Sequence, residues 1–271
     1  MAGFDAAWLA LREPADTKAR SLRLVERVGD AIRDVIGDRD VLSALDLATG
    51  TGSNVRYLAP RLPAPQHWLL VDDDPRLLAE AARSLRGADV RRVDLVAEFV
   101  RGGQGIVAGR GLVTASALLD LVSEGWLRAL ASSCRQARAA VLFALTYSGE
   151  IDCSPVEAED TAVRDLVNEH QRRDKGFGPA LGPTASDRAE IVFGELGFHV
   201  DREASPWRLE PDDRELQRQL IDGWAEAAVD VAPERSASLE SWRQRRVAHV
   251  SEGRSRLVVG HVDLAAWLPQ E

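Results

Sequence analysis

Residues 41–57, Val-Leu-Ser-Ala-Leu-Asp-Leu-Ala-Thr-Gly-Thr-Gly-Ser-Asn-Val-Arg-Tyr, constrain the fold more than any other stretch of the chain. Val41 to Leu47 is a short apolar run closed by Asp46, which suits a buried strand of a parallel sheet covered on both faces. Gly50 and Gly52 mark a tight turn. Glycine is favoured where the backbone bends sharply and a ligand approaches with no Cβ in the way. A helix starts near Ser53, with Ser53 or Asn54 able to cap it. Strand, glycine turn and helix in this order form the corner at which a doubly wound α/β sheet takes a nucleotide, at the carboxyl ends of its strands.

The chain of 271 residues is long enough for one large domain, or one domain with a cap, around a full core. Its net charge of −9 argues against a broad nucleic-acid footprint, which needs phosphate-neutralising basic patches. Cys134 and Cys153 make no Cys-x-x-Cys pair, and His67, His170, His199, His249 and His261 are scattered without ligand spacing, so no metal site is expected. With no recognisable signal peptide and no apolar run of membrane-spanning length, the expected setting is a reducing cytoplasm, away from membranes.

Helix-like spacing of Phe4, Trp8, Leu9 and Leu11 precedes Pro14, which stops that segment or starts the next. Asp16 is placed to cap a helix from Thr17 to Ile36, with Gly37 ending it and Leu22, Val25, Val28, Ile32 and Val35 as its apolar stripe. Trp68 to Val71 reads as a second strand, ended by Asp72-Asp73-Asp74-Pro75, with Asp74 the cap of a helix over 76–86. Asp89 to Val93 is a third strand, followed by Asp94-Leu95. Leu112 to Ala115 is a fourth, giving way at Ser116 to the helical spacing of Leu118, Leu119 and Val122. A fifth strand, Ala139 to Leu145, leads into Thr146, Tyr147, Glu150 and Asp152, expected as a loop on the same rim as Ser116. The polar segment 154–185, with Gly176, Gly178, Pro179, Gly182 and Pro183, suits a mobile loop or lid. Ser186 to Leu196 is a helix, Phe198 to Ala204 a strand, 211–253 a helical pair, and Arg256 to Leu264 the last strand. Trp8, Trp224 and Trp242 are candidate substrate contacts.

The run Asp46-Leu-Ala-Thr-Gly-Thr-Gly resembles motif I of class I S-adenosylmethionine (SAM) dependent methyltransferases, commonly Asp/Glu-x-Gly-x-Gly-x-Gly. Ala48 replaces the first glycine, tolerable if that position keeps φ below zero. The resemblance covers about 40–205, with Arg256–Leu264 matching the antiparallel strand usual in the family. It implies a Rossmann-like, doubly wound, seven-stranded sheet of order 3-2-1-4-5-7-6 with a helical cap. The domain then divides into an N-terminal cap (1–37), a cofactor-binding core (38–210), a helical insert (211–253) and a final strand and tail (254–271). SAM is the implied cofactor, with Asp46, Ala48, Thr49, Gly50, Gly52 and Asn54 among its binding residues and Asp72, or second Asp73, at the ribose diol. Asp94 takes the adenine amino group, Leu95 or Val96 lies against the ring, and Ser116 stands where cofactor and substrate meet. Arg12 and Arg20 are candidates for the cofactor carboxylate, Arg20 being carried as the site residue. Asp120 and Tyr147 are the first candidates for catalysis, followed by Glu150.

The activity so implied is methyl transfer to a small-molecule acceptor, with no nucleic-acid partner and a homodimer left open. The rivals are an NAD-dependent oxidoreductase, against which Val55 stands at the position of the dinucleotide fingerprint's third small residue, and a SAM-binding module without turnover.

Overall fold

The computed structural model describes residues 5–36, 41–63, 65–100 and 105–269; Phe4 and the helix stop at Gly37 lie outside them. The apolar run forms β1 (Leu42–Leu47). Leu45 and Leu47 point into one apolar layer and Leu42 and Ala44 into the other, all buried, which is why the strand reads as nearly continuous apolar sequence. β2 (Gln66–Asp72) and β3 (Asp89–Arg92) lie to one side of β1, and β4 (Leu112–Ser116) and β5 (Ala140–Ser154) to the other, all parallel. Beyond β5 come β6 (His199–Ala204), β7 (Trp207–Leu209) and β8 (Arg256–Trp267), with β8 between β5 and β6 and antiparallel to its partners.

The order β3-β2-β1-β4-β5-β8-β6 is the expected arrangement with its last strand antiparallel. The sheet has eight strands rather than seven, because β7 pairs with β8 off the main path. Three residues are too few for hydrophobic alternation to mark a strand in sequence.

Helix α1 (Ala6–Ala19) leads into α2 (Leu22–Ile36), which covers one face of the sheet with α3 (Ser53–Leu58) and α4 (Pro75–Ser84). The other face is covered by α5 (Leu95–Val100) and α6 (Glu124–Ala137), and by α8 (Ala185–Glu195), around Trp126, Phe143 and Phe193. A third apolar layer lies between the outer half of β5, β7 and β8 and the helices α7 (Asp160–Gln171), α9 (Arg214–Val231) and α10 (Ser236–Ser251).

Three local expectations fail, the first two because a distant partner overrides a local signal. Pro14 neither ends nor starts a helix; it sits inside α1, and Asp16 is an interior residue rather than a cap. An interior proline costs a helix about 3 kcal/mol. Here the residues around it are anchored from outside: Glu13 accepts two bonds from Arg56 (2.9 and 2.6 Å), and Asp16 accepts from Trp207 Nε1 (3.0 Å). The true break is at Arg20–Ser21, where the Ser21 N–H donates to Asp263 (2.9 Å) and Ser21 Oγ accepts from Leu24 N (3.1 Å). Within α2, Leu22 is exposed and Leu24 takes its place in the core.

β5 does not end at Leu145. It runs on to Ser154, so Thr146, Tyr147, Glu150 and Asp152 are strand residues and not a rim loop. The register with β8 shifts between Phe143 and Thr146 and again between Tyr147 and Ile151, and Leu145 and Gly149 take φ of +56° and +88°. Those irregularities hide the strand's periodicity, and only the long partner β8 makes the extension stable. Segment 154–185 is not one loop, since α7 occupies twelve of its residues.

Candidate functional site

Sheet register sets the rim of the site. Leu47 pairs with Val71 on one side and Ala115 on the other, so Ala48, Asp72 and Ser116 leave the sheet at one level. A cleft of about 490 Å³ opens there, lined from α1, the glycine turn, the ends of β2, β3 and β4, and Phe177.

The turn forms its floor. Ala48, Gly50 and Gly52 have φ of +49°, +56° and +86°. The expected negative φ at Ala48 is thus overturned: this alanine is held left-handed, where a Cβ costs about 1–2 kcal/mol. Ala117, just past β4 and also in the cleft lining, has φ +52° and donates its N–H to Ala144 O (2.9 Å). Two strained alanines on neighbouring strand ends of one cleft are the pattern of a backbone held for a ligand.

The two glycines do different work. A Cβ on Gly50 would stand 3.1 Å from Leu9 Cδ1, within the cleft lining. One on Gly52 would come 2.6 Å from Leu85 Cδ1 and 3.5 Å from Ala81, at the end of α4. Gly52 is therefore outside the lining, and packing is what excludes a side chain there.

Neither Ser53 nor Asn54 caps α3; Gly52 takes the cap position without a side-chain bond. Asn54 is turned inward because Asp46 beneath it needs donors. Its Nδ2 donates to Asp46 Oδ1 (2.5 Å) and Thr114 Oγ1 (3.1 Å), while Thr49 Oγ1 donates to Asp46 Oδ2 (2.5 Å). Asp46 is fully buried and does not line the cleft. Burial pushes its carboxyl up to about 6 against those two bonds. Asn54 does line the cleft, and its Oδ1 is buried without a partner among the described residues.

Four acids follow along the lining. Asp72 accepts from Gly50 N (2.9 Å) and Asp74 N (3.0 Å), tying the end of β2 to the turn. Asp73 is exposed and pairs with Arg92 (3.2 Å). Asp74 caps α4 through Arg76 N (2.8 Å), and hydrogen bonds from Arg76 hold its carboxyl down at about 2. Asp94 caps α5, its Oδ1 accepting from Val96 N (2.9 Å) and Ala97 N (3.0 Å), with Leu95 and Val96 beside it in the cleft.

Helix α1 supplies Leu9, Arg12 and Asp16 as one wall. Arg12 donates from Nε and Nη2 to the two oxygens of Asp16 (3.0 and 3.2 Å) and lies over the Trp207 ring, 5.0 Å from its centroid. Burial raises the Asp16 carboxyl, and Arg12 opposes it. Arg20 does not line the cleft. It is buried over Tyr57 (4.2 Å), with Nε and Nη2 unpartnered among the described residues.

Ser116, Ala117, Leu118, Leu121 and Phe177 complete the lining. Phe177 packs edge-on against Trp126 (5.7 Å), so the Gly/Pro-rich segment is docked rather than open. Leu181 N donates to Val122 O (2.8 Å), and Asp174 accepts from Gly176 N and Gly178 N.

Asp120 and Tyr147 stand behind this surface, not on it. Asp120 accepts from the backbone of itself and Tyr147, keeps Oδ1 unpartnered among the described residues, and is pushed by burial up to about 6. Tyr147 donates its hydroxyl to Asn168 Oδ1 (2.8 Å), and burial and the Asp120 charge raise its pKa. The helical pair α9–α10 contributes nothing to the lining. Trp224 and Trp242 are buried in the third layer, Trp242 donating to Asp160 (2.8 Å), and half-buried Trp8 packs on the same layer.

Asp16 and Phe177 are among the lining residues that sequence reasoning assigned elsewhere, here to a helix cap and to a loop. The signal for Asp16 was the i, i+4, i+8 spacing of Arg12, Asp16 and Arg20, which puts all three on one helix face. Among the described residues no group of three His, Cys, Asp or Glu is placed to hold a metal, and no helix is long and apolar enough to cross a membrane.

No protein-family model and no curated protein matches the sequence. Solved structures do match. A candidate methyltransferase of Bacillus halodurans is 12% identical over 89% of this chain and 99% of its own, with a TM-score of 0.50. The fold is that of the class I methyltransferases. A candidate sarcosine dimethylglycine methyltransferase of Galdieria sulphuraria is 11% identical over 90% and 85% (TM-score 0.44). Phosphoethanolamine N-methyltransferase 2 of Haemonchus contortus, in complex with S-adenosyl-L-methionine, is 16% identical over 89% and 52% (TM-score 0.43). In this chain the cleft lies where doubly wound sheets receive their ligands, outside the carboxyl ends of the strands.

Proposed function

We propose that this protein is a SAM-dependent methyltransferase acting on a small-molecule acceptor. The observation that carries the reading is the order of groups along one cleft: a left-handed glycine turn, then Asp72 at the end of β2, then Asp94 at the start of α5. Asp72 takes the ribose hydroxyls, which a carboxylate accepts as a pair. Asp94, with Oδ1 spent on capping, offers Oδ2 to the adenine amino group, and Leu95 and Val96 lie against the ring. Thr49, Gly50 and Asn54 face the methionine part, where the unpartnered Asn54 Oδ1 suits an ammonium donor. Arg20 lies behind the lining with two buried, unpartnered nitrogens, its charge acting on the turn's Asp46, and is the cation that turns toward the carboxylate when the cofactor binds. The cleft's volume falls in the usual range for small-molecule sites, about 300–1,000 Å³.

When bound, SAM supplies an electrophilic methyl on a sulfonium. The protein's task is then alignment and exclusion of water, more than covalent catalysis. Leu9, Leu118, Leu121 and Phe177 supply the apolar walls that keep such a site dry. Where the acceptor must lose a proton, Asp120, which does not line the cleft, receives it through an intervening water. Its carboxyl near 6 is in the range of a general base, and its neighbours Leu118 and Leu121 border the cleft. Tyr147 serves as a hydrogen-bonded support, since its raised pKa and its bond to Asn168 disfavour a proton-accepting role. Free, buried Cys134 and Cys153 support a reducing, cytoplasmic setting, and the net charge of −9 supports a partner other than nucleic acid.

Calorimetric titration with SAM, S-adenosylhomocysteine and NADH tests the cofactor. SAM and S-adenosylhomocysteine are expected to bind, NADH is not, and Asp72→Ala is expected to weaken S-adenosylhomocysteine by about 1.5–3 kcal/mol. Binding of NADH alone would replace the reading. SAM binding without release of S-adenosylhomocysteine across an acceptor panel would leave a binding module in place of an enzyme.

A further inference from the structure

Arg12, within α1, and Arg20, at its C-terminal cap, stand on either side of Asp16 in the sequence, yet they occupy different environments. Arg20 faces inward: its guanidinium lies over Tyr57, and its charge acts on Asp46 under the glycine turn and on Asp263. Arg12 lies further along the wall, and its charge acts on Asp120, past the end of β4, and on His261 in β8. Its orientation is fixed. Two nitrogens are held by Asp16, Asp16 is itself braced by Trp207 Nε1, and the guanidinium rests over that same indole. The remaining nitrogen, Nη1, has no protein partner among the described residues and is not among their buried orphan atoms, so it is the part of this cleft-lining arginine left for a ligand. A guanidinium pinned on one edge and free on the other is a pre-organised receptor for a carboxylate or phosphate oxygen pair.

SAM carries one carboxylate, and on the reading above Arg20 takes it. We propose that Arg12 recognises an anionic group, carboxylate or phosphate, on the acceptor, so that the substrate class is small organic anions with an apolar body. Leu9, one turn before Arg12, supplies an apolar contact in the same wall. Lys175, two residues from Phe177, adds a second positive charge whose field reaches Asp120. The proposal rests on the cofactor reading, and the test separates the two.

Protein saturated with S-adenosylhomocysteine is titrated with benzoate, phenyl phosphate and the neutral isostere benzamide. At least one anion is expected to bind in the presence of S-adenosylhomocysteine, at least tenfold more tightly than benzamide. Arg12→Gln should abolish that preference while changing S-adenosylhomocysteine affinity less than threefold. Arg12→Lys keeps a cation opposite Asp16, guards against loss of fold, and should restore part of the anion binding. Equal binding of anions and benzamide to the saturated protein would overturn the proposal, as would failure of all three to bind. It would also fall if Arg12→Gln weakened S-adenosylhomocysteine tenfold but spared methylthioadenosine, which lacks the carboxylate, because Arg12 would then belong to the cofactor. If wild-type protein binds no S-adenosylhomocysteine, the cofactor reading fails first, and this proposal falls with it.

Discussion

Asp120, beside the cleft, and Asp160, in the outer layer, are both shielded aspartates, and the two halves of the molecule treat them oppositely. Asp160 is saturated. It accepts from Arg246 Nε (3.0 Å) and Nη2 and from Trp242 Nε1 (2.8 Å), and the fully buried Arg246 also donates to Pro155 O (2.6 Å). Around it Arg245 pairs with Glu157 and Glu159, and His249 with Glu157 (2.7 Å). Asp120 has no cation bonded to it and one oxygen unpartnered among the described residues; Asp46 has two neutral donors. Burial alone does not distinguish a structural acid from a poised one. Whether the protein itself supplies the counter-charge does.

The comparison breaks most visibly at Asp160. Asp160→Ala leaves Arg246 buried without its partner and should cost about 3–5 kcal/mol in urea unfolding. A loss under 1 kcal/mol would mean that the network is solvated and ornamental. Gly52→Val comes next, at about 2–4 kcal/mol of stability, from left-handed strain plus the collision with Leu85. The folded protein should keep S-adenosylhomocysteine affinity within a few-fold, and loss of binding at unchanged stability would return Gly52 to the ligand surface.

Asp120→Asn should go the other way. A folded pKa of about 6 against 3.8 means that folding favours the protonated acid. That contribution is present below pH 3.8 and lost as pH rises through 6, so the ionised form is a burden at pH 7.5. The variant should be about 1–3 kcal/mol more stable than the parent at pH 7.5 and level with it near pH 4. A variant destabilised at both would show that Asp120 has a counter-charge after all. The smallest effect is expected at Asp94→Ala, about 1 kcal/mol in S-adenosylhomocysteine binding, since water replaces one exposed contact. If it exceeds the Asp72→Ala effect, the ribose and adenine ends are assigned in reverse.

Legibility followed the same divide. The strand–turn–helix of 42–58, the cap at Asp74 and the acids at 72 and 94 were readable because each is specified by neighbours within a few residues. Strand order was readable because the family pattern fixes it once the first corner is placed. The α1 wall was not: Asp16 finds Trp207 191 residues away, and a proline in mid-helix argues locally for a break. The left-handed Ala48 was likewise hidden, since positive φ is uncommon for any residue but glycine and alanine carries no side-chain group that signals it. Tyr147 was drawn onto the rim by treating β5 as seven residues long, when it has fifteen, and Asp120 by the resemblance of the stretch after β4.

Strand β8 also has a meaning in time. It pairs with β5, β6 and β7, and its Asp263 accepts from Ser21 N, Leu145 N and Ser205 Oγ, joining the α1–α2 junction, mid-β5 and the β6–β7 turn through one carboxylate. A ribosome delivers residues 256–267 after every element they join. Until then the outer half of β5 and both short strands offer bare edges, the surfaces on which nascent chains stick to one another. The parallel strands, all made by residue 154, can form the glycine corner while the chain is still being made; the antiparallel half must wait for its keystone.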